Sequence, residues 1–120
     1  MKKILLAEDN KPMSRTMRIK LEKSGFEVVV AMDGKEAMDA LMSEKFDLVL
    51  LDIMMPRMSG FEVLREMRNR GIAAPVIMTS NLSQESDIKK AKDLGAREYF
   101  VKSNASISEI VEYVKNSLPS

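Results

Sequence analysis

Leu48-Val49-Leu50-Leu51-Asp52 is the stretch that decides the fold: an unbroken apolar run closed by an acid. A strand with one wet face alternates apolar and polar side chains. A short continuous apolar run instead suits a strand covered on both faces, as in a parallel sheet. The same form recurs in both directions along the chain. Upstream stand Ile4-Leu5-Leu6-Ala7, ending at Glu8 and Asp9, and the β-branched Val28-Val29-Val30-Ala31. Downstream stand Val76-Ile77-Met78, which follows Pro75 and ends at Thr79-Ser80, and Tyr99-Phe100-Val101, which ends at Lys102.

Helical periodicities fill the intervals. Met13, Met17 and Leu21 recur every fourth residue, and Gly25 follows as a stop. Asp33 with Glu36 opens a stretch through Ala37 and Leu41. Ser59 with Glu62 forms a capping box before Val63, Leu64 and Met67, with a stop near Gly71. Ser83 is expected to cap a helix through Ile88, Ala91 and Leu94 to Gly95. Ser106 with Glu109 is a second capping box, leading Ile107, Ile110, Val111, Val114 and Leu118 along one stripe. Strand and helix alternate five times. The expected class is therefore α/β, a doubly wound five-stranded parallel sheet with helices on both faces. With 120 residues, the chain reads as a single domain over 1–120.

Composition narrows the chemistry. The 19 basic and 18 acidic residues leave a net charge of +1, without the basic excess that a nucleic-acid binder of this size carries. The apolar run from Ile4 to Ala7 is too short for a signal-peptide core or a membrane span, so a cytoplasmic protein is expected. There is no cysteine, which removes thiol nucleophiles, disulfides and thiolate metal sites. There is no histidine, which removes a Ser-His-Asp triad, a His-bound zinc and a phosphohistidine on this chain. Carboxylates, lysines, hydroxyls or a hard cation held by oxygen remain. The 11 methionines read as flexible core filler.

Ligands of open α/β sheets sit beyond the carboxyl ends of the strands, at the switch point of the strand order. In the flavodoxin-like order 2-1-3-4-5 that point lies between strands 1 and 3. The strand ends then bring together Glu8 and Asp9, Asp52, Thr79 and Ser80, and Lys102. Three neighbouring carboxylates repel unless a cation joins them. Magnesium suits such a set, because it is hard and takes one or two carboxylates, waters and a phosphate oxygen. A lysine and a hydroxyl opposite can hold the other phosphoryl oxygens. The layout fits phosphoryl transfer to a carboxylate, giving an acyl phosphate. Singly these residues are ordinary: an Asp-Asn pair caps a helix, an Asp ends a strand, a lysine is solvated. Four strand ends supplying the set together are not.

With those residues in view, the chain resembles the receiver domain of two-component response regulators, chemotaxis-type and flavodoxin-like, along essentially its whole length. The resemblance rests on Ile4-Leu5-Leu6-Ala7-Glu8-Asp9-Asn10, on Leu50-Leu51-Asp52-Ile53-Met54-Met55-Pro56 with Met58 and Gly60, on Met78-Thr79-Ser80, on Ala91 with Gly95-Ala96, and on Tyr99-Phe100-Val101-Lys102. It implies that Asp52 is the phosphoacceptor. It also implies that Glu8, Asp9, Asp52 and the backbone carbonyl of Met54 hold Mg2+, and that Thr79 and Lys102 contact the phosphoryl group. Thr79, Ser80 and Tyr99 correspond to the switch positions.

Three positions depart from the commonest pattern. Glu8 stands where many members have aspartate. Ser59 replaces the usual Asp or Asn before Gly60, an equivalent cap. Ser103 follows Lys102 where proline is usual, often after a cis bond. A non-proline cis bond costs about 2.5–4 kcal/mol, so a trans bond or a looser loop is expected at Lys102-Ser103.

The resemblance implies a Mg-dependent phosphorelay step. The donor is the phosphohistidine of a sensor histidine kinase or of a histidine phosphotransfer protein, docking near the first helix and the loop after Lys102. The domain would catalyse its own aspartyl phosphorylation and dephosphorylation, acting as a signalling switch rather than a metabolic enzyme. Thr79 would be drawn to the phosphoryl group. Tyr99 would turn inward, and the surface of helix 4, strand 5 and helix 5 would change for a downstream target or a severed output domain. Met54 and Asn81 flank the path of attacking water. Neither nucleic acid nor membrane is expected as a partner of this domain itself. Lys115 to Ser120 fits either a C-terminal tail or a cut linker.

Three rivals fit less well. A non-phosphorylated scaffold of the same fold usually lacks one of the acids, the threonine or the lysine. A flavin-binding protein needs a glycine- and hydroxyl-rich loop after strand 1, and here Glu8-Asp9-Asn10-Lys11-Pro12 would repel phosphate. A phosphatase forming an aspartyl phosphate wants a second Asp two residues beyond Asp9, where Lys11 stands.

Overall fold

A computed structural model describes residues 1–118. The elements alternate strictly: β1 (Lys3–Ala7), α1 (Lys11–Lys23), β2 (Glu27–Ala31), α2 (Gly34–Ser43), β3 (Leu48–Asp52), α3 (Gly60–Asn69), β4 (Val76–Ser80), α4 (Glu85–Asp93), β5 (Glu98–Val101) and α5 (Ile107–Ser117). All neighbouring strands pair in parallel, in the order β2-β1-β3-β4-β5. The expected order holds, and β1 and β3 are neighbours at the switch point.

The two cores follow from strand alternation. Leu5, Ala7, Val49, Leu51, Val76 and Met78 point to one face, under α2, α3 and α4. Ile4, Leu6, Leu48, Leu50 and Ile77 point to the other, under α1 and α5. Every residue of β3 and β4 is buried, so both faces are apolar up to the carboxyl ends, where Asp52, Thr79 and Ser80 stand. The outer strands β2 and β5 are only partly covered, which corrects the expectation that all five runs are buried on both faces.

The helix starts are largely those expected from the chain. Asn10, Asp33, Ser59 and Ser106 each accept a backbone N–H from three residues on, and the latter two complete capping boxes. Ser83 does not cap α4. That helix begins after Gln84, which makes no side-chain cap bond, and only Ala91 of its residues is buried. The expected trans bond at Lys102-Ser103 is present, as at every described peptide. The loop there is not loose: the amides of Asn104 and Ala105 both donate to Val101 O, at 2.9 and 3.1 Å. Of the segment expected to be tail or linker, Lys115 to Ser117 extend α5, and residues 119 and 120 lie outside the described residues. No described helix is long and apolar enough to cross a membrane.

Candidate functional site

Parallel register builds the site. Ala7 lies opposite Leu51, so Glu8 follows directly beside Asp52, and Asp52 lies opposite Thr79. Ser80 lies opposite Val101, and the next amide, Lys102 N, donates to Ser80 O at 2.8 Å. Five of the residues singled out in the sequence, Glu8, Asp9, Asp52, Thr79 and Lys102, therefore meet at one end of the sheet.

Carboxylate oxygens of Glu8, Asp9 and Asp52 lie within 4.8 Å of one another. Glu8 and Asp52 are buried, at 1% and 3% exposure, whereas Asp9 faces solvent. Lys102 Nζ stands between the two buried acids, 2.6 Å from Glu8 Oε1 and 3.2 Å from Asp52 Oδ2. The Asp52 contact is a hydrogen bond, and the closer Glu8 contact is a buried ion pair. Backbone amides orient the other oxygens. Asn10 N donates to Glu8 Oε2 at 3.1 Å, and Met54 N donates to Asp52 Oδ1 at 3.3 Å.

The electrostatics follow from burial. Loss of hydration pushes the Glu8 and Asp52 carboxyls above the usual carboxylate range, and the neighbouring acids push the same way. Lys102 opposes both shifts. Burial alone would lower Lys102, but its contacts with Glu8 and Asp52 outweigh that and hold it above its ordinary value. One ammonium against three carboxylates leaves a net negative cluster. An all-oxygen donor set of that charge fits a hard divalent cation.

Ser80 and Tyr99 lie behind this cluster. Ser80 is fully buried, and its Oγ accepts from Leu82 N at 3.2 Å. Tyr99 is already buried, and its hydroxyl donates to Leu82 O at 2.6 Å. In this conformation the ring already lies inside, tied to the β4–α4 loop. Met54 is 60% exposed at the mouth of the site. The sequence places Gly60 only within a motif, yet a Cβ on it would lie 2.2 Å from Asp52 O, so the turn after β3 closes only with glycine there.

Residues 4–115 match the family model described as the response regulator receiver domain. The chain belongs to that family. As a receiver domain it falls within two-component signalling, where such domains work with histidine kinases and output domains, and where phosphorylation and magnesium dependence are general. The chain is 33% identical to the alkaline phosphatase synthesis transcriptional regulatory protein PhoP of Bacillus subtilis, across 99% of its own length and 52% of that protein. It therefore spans about half of the curated relative that it matches. Among solved structures it superposes on the Francisella response regulator 1452 receiver domain with a TM-score of 0.91, at 31% identity, covering 97% of this chain and 95% of that one. It likewise matches the response regulator TrrA of Thermotoga maritima, solved in complex with Mg2+-BeF, with a TM-score of 0.85 at 35% identity, covering 98% and 100%.

Proposed function

We propose that this receiver domain accepts a phosphoryl group on Asp52 from the phosphohistidine of a sensor histidine kinase or a histidine phosphotransfer protein. The observation that carries the reading is the lysine between two buried acids: Lys102 Nζ is 3.2 Å from Asp52 Oδ2. In the transfer an oxygen of Asp52 forms a bond to phosphorus as the P–N bond to the donor imidazole breaks. The electron pair stays on the ring nitrogen. The donor lies outside these 120 residues, because they contain no histidine. Glu8, Asp9, Asp52 and the Met54 carbonyl would hold Mg2+, whose charge offsets that on the transferring oxygens. Thr79 and Lys102 take the remaining phosphoryl oxygens.

The signal leaves through the β4–α4 loop. Movement of Thr79 toward the phosphoryl group shifts Ser80 and the Leu82 peptide, which Ser80 Oγ and Tyr99 Oη grip from either side. α4 follows easily, since it has no side-chain cap and one buried residue. The result is a population shift of the α4-β5-α5 surface, read by a target protein or an attached output domain. Hydrolysis by water at phosphorus resets the switch. The domain itself is read as cytoplasmic, with neither nucleic acid nor membrane as its direct partner.

Supplying magnesium and a small phosphodonor such as phosphoramidate should yield a hydroxylamine-labile phosphoprotein. Labelling that persists in Asp52→Asn would overturn the acceptor assignment.

A further inference from the structure

Arg57 has φ of +69°, the one positive value at a non-glycine among the described residues. A bulky side chain stays in that region only where its surroundings hold it. The surroundings here are specific. Arg57 Nε lies 3.5 Å from Asp33 Oδ2. Asp33 is itself fixed: it is buried, and its Oδ1 accepts Glu36 N at 2.8 Å as the N-cap of α2. The flanking backbone is pinned as well. Met58 N donates to Pro56 O at 2.7 Å, and Gly34 N reaches the same carbonyl at 3.4 Å. A Cβ on Gly34 would lie 1.9 Å from Met58 O, so α2 and the loop between β3 and α3 touch backbone to backbone.

We propose that Arg57 is a positioning residue for the cation site: its ion pair with Asp33 holds the loop that carries the Met54 carbonyl against the N-terminus of α2. The inference rests on the reading of Glu8, Asp9, Asp52 and Met54 as the ligand set. The loop begins at Asp52 and is closed at its far end by Gly60 N donating to Ile53 O at 2.8 Å. Between those points Arg57 is the residue in the least favourable backbone region. Released from Asp33, Arg57 no longer ties this strained turn to α2, and the peptides around it, three positions from Met54, are freer to re-aim. Because the Arg57 side chain is 57% exposed, its ion pair adds little to global stability. The effect therefore falls on ligand geometry rather than on folding.

Calorimetric titration with magnesium chloride, beside thermal unfolding without metal, tests this. Arg57→Ala and Asp33→Asn should each weaken Mg2+ binding by about two- to fivefold, the range that a half-exposed ion pair can supply. The double variant should lose no more than either single one, and Arg57→Lys should recover part of the loss. Unfolding temperatures should barely move, since asparagine still caps α2. Phosphorylation by phosphoramidate should return to the wild-type rate at saturating Mg2+. Unchanged Mg2+ affinity in both single variants would overturn the proposal, as would multiplied losses in the double variant. Wild-type protein whose Mg2+ binding is absent or survives Asp52→Asn intact would overturn the ligand reading, and this proposal with it.

Discussion

Lys102 Nζ donates to Asp52 Oδ2 at 3.2 Å, joining residues fifty positions apart in the chain. The ammonium thus occupies the negative centre of the site, and Lys102 and a divalent cation compete for the same two buried acids. Lys102→Ala should accordingly keep magnesium binding and tighten it, while the phosphorylation-driven response is lost. Titration calorimetry and a donor-driven labelling assay measure the two effects; loss of magnesium binding in this variant would contradict the role given to Lys102.

Asp52 sits buried among like charges, and burial holds its carboxyl above the usual range. Ionisation at neutral pH therefore costs stability in the metal-free protein. Asp52→Asn should raise unfolding stability in chelator, since asparagine carries no buried charge. Urea denaturation is the measurement, and the gain should vanish when the wild type is saturated with magnesium.

Gly60 leaves no room for a side chain against the Asp52 carbonyl, at 2.2 Å from an added Cβ. That neighbour is backbone and cannot swing aside. Gly60→Ala should destabilise the fold by about 1–3 kcal/mol, the usual cost of overpacking. It should also depress phosphorylation more than Ser59→Ala does, because Ser59→Ala removes a cap without moving Asp52. Denaturant midpoints and labelling rates distinguish the two.

Tyr99 gives a pH dependence. Burial holds its hydroxyl above the ordinary phenol value, with the charges of Asp87 and Asp52 adding to the shift. The unfolded chain releases this proton near the ordinary value of about 10, and the folded chain only at higher pH. The stability that Tyr99 contributes is therefore whole below the unfolded value and is lost as pH rises through the folded one. A tyrosinate absorbance titration should show a late step that disappears in Tyr99→Phe. The same variant should lose less stability in alkali than the wild type.

Much of the fold is legible in the chain because the signals are local. A continuous apolar run such as Leu48–Leu51 specifies a doubly covered strand, since no other placement hides both faces. The capping boxes at Ser59 and Ser106 are closed loops of hydrogen bonds within four residues. Where local signals are weak, the sequence misleads. Ser83 offers a suitable hydroxyl, but the chain enters α4 one residue later, at Gln84. The place of the Tyr99 ring has no local signal at all. Only the position of Leu82 O, seventeen residues away, shows it bonded within.

The sequence by itself determined the element order, most of the helix starts and the kinds of group at each strand end, because periodicity and capping act over a few residues. It also determined that no phosphohistidine donor lies among these 120 residues, through the absence of histidine. The tertiary structure alone decided which charges face one another. Parallel register set Glu8 beside Asp52, and a contact across fifty residues put Lys102 between them. The clasp of Arg57 on Asp33 belongs to the same class. Such pairings depend on distances between segments remote in sequence, and no local periodicity encodes a distance in space.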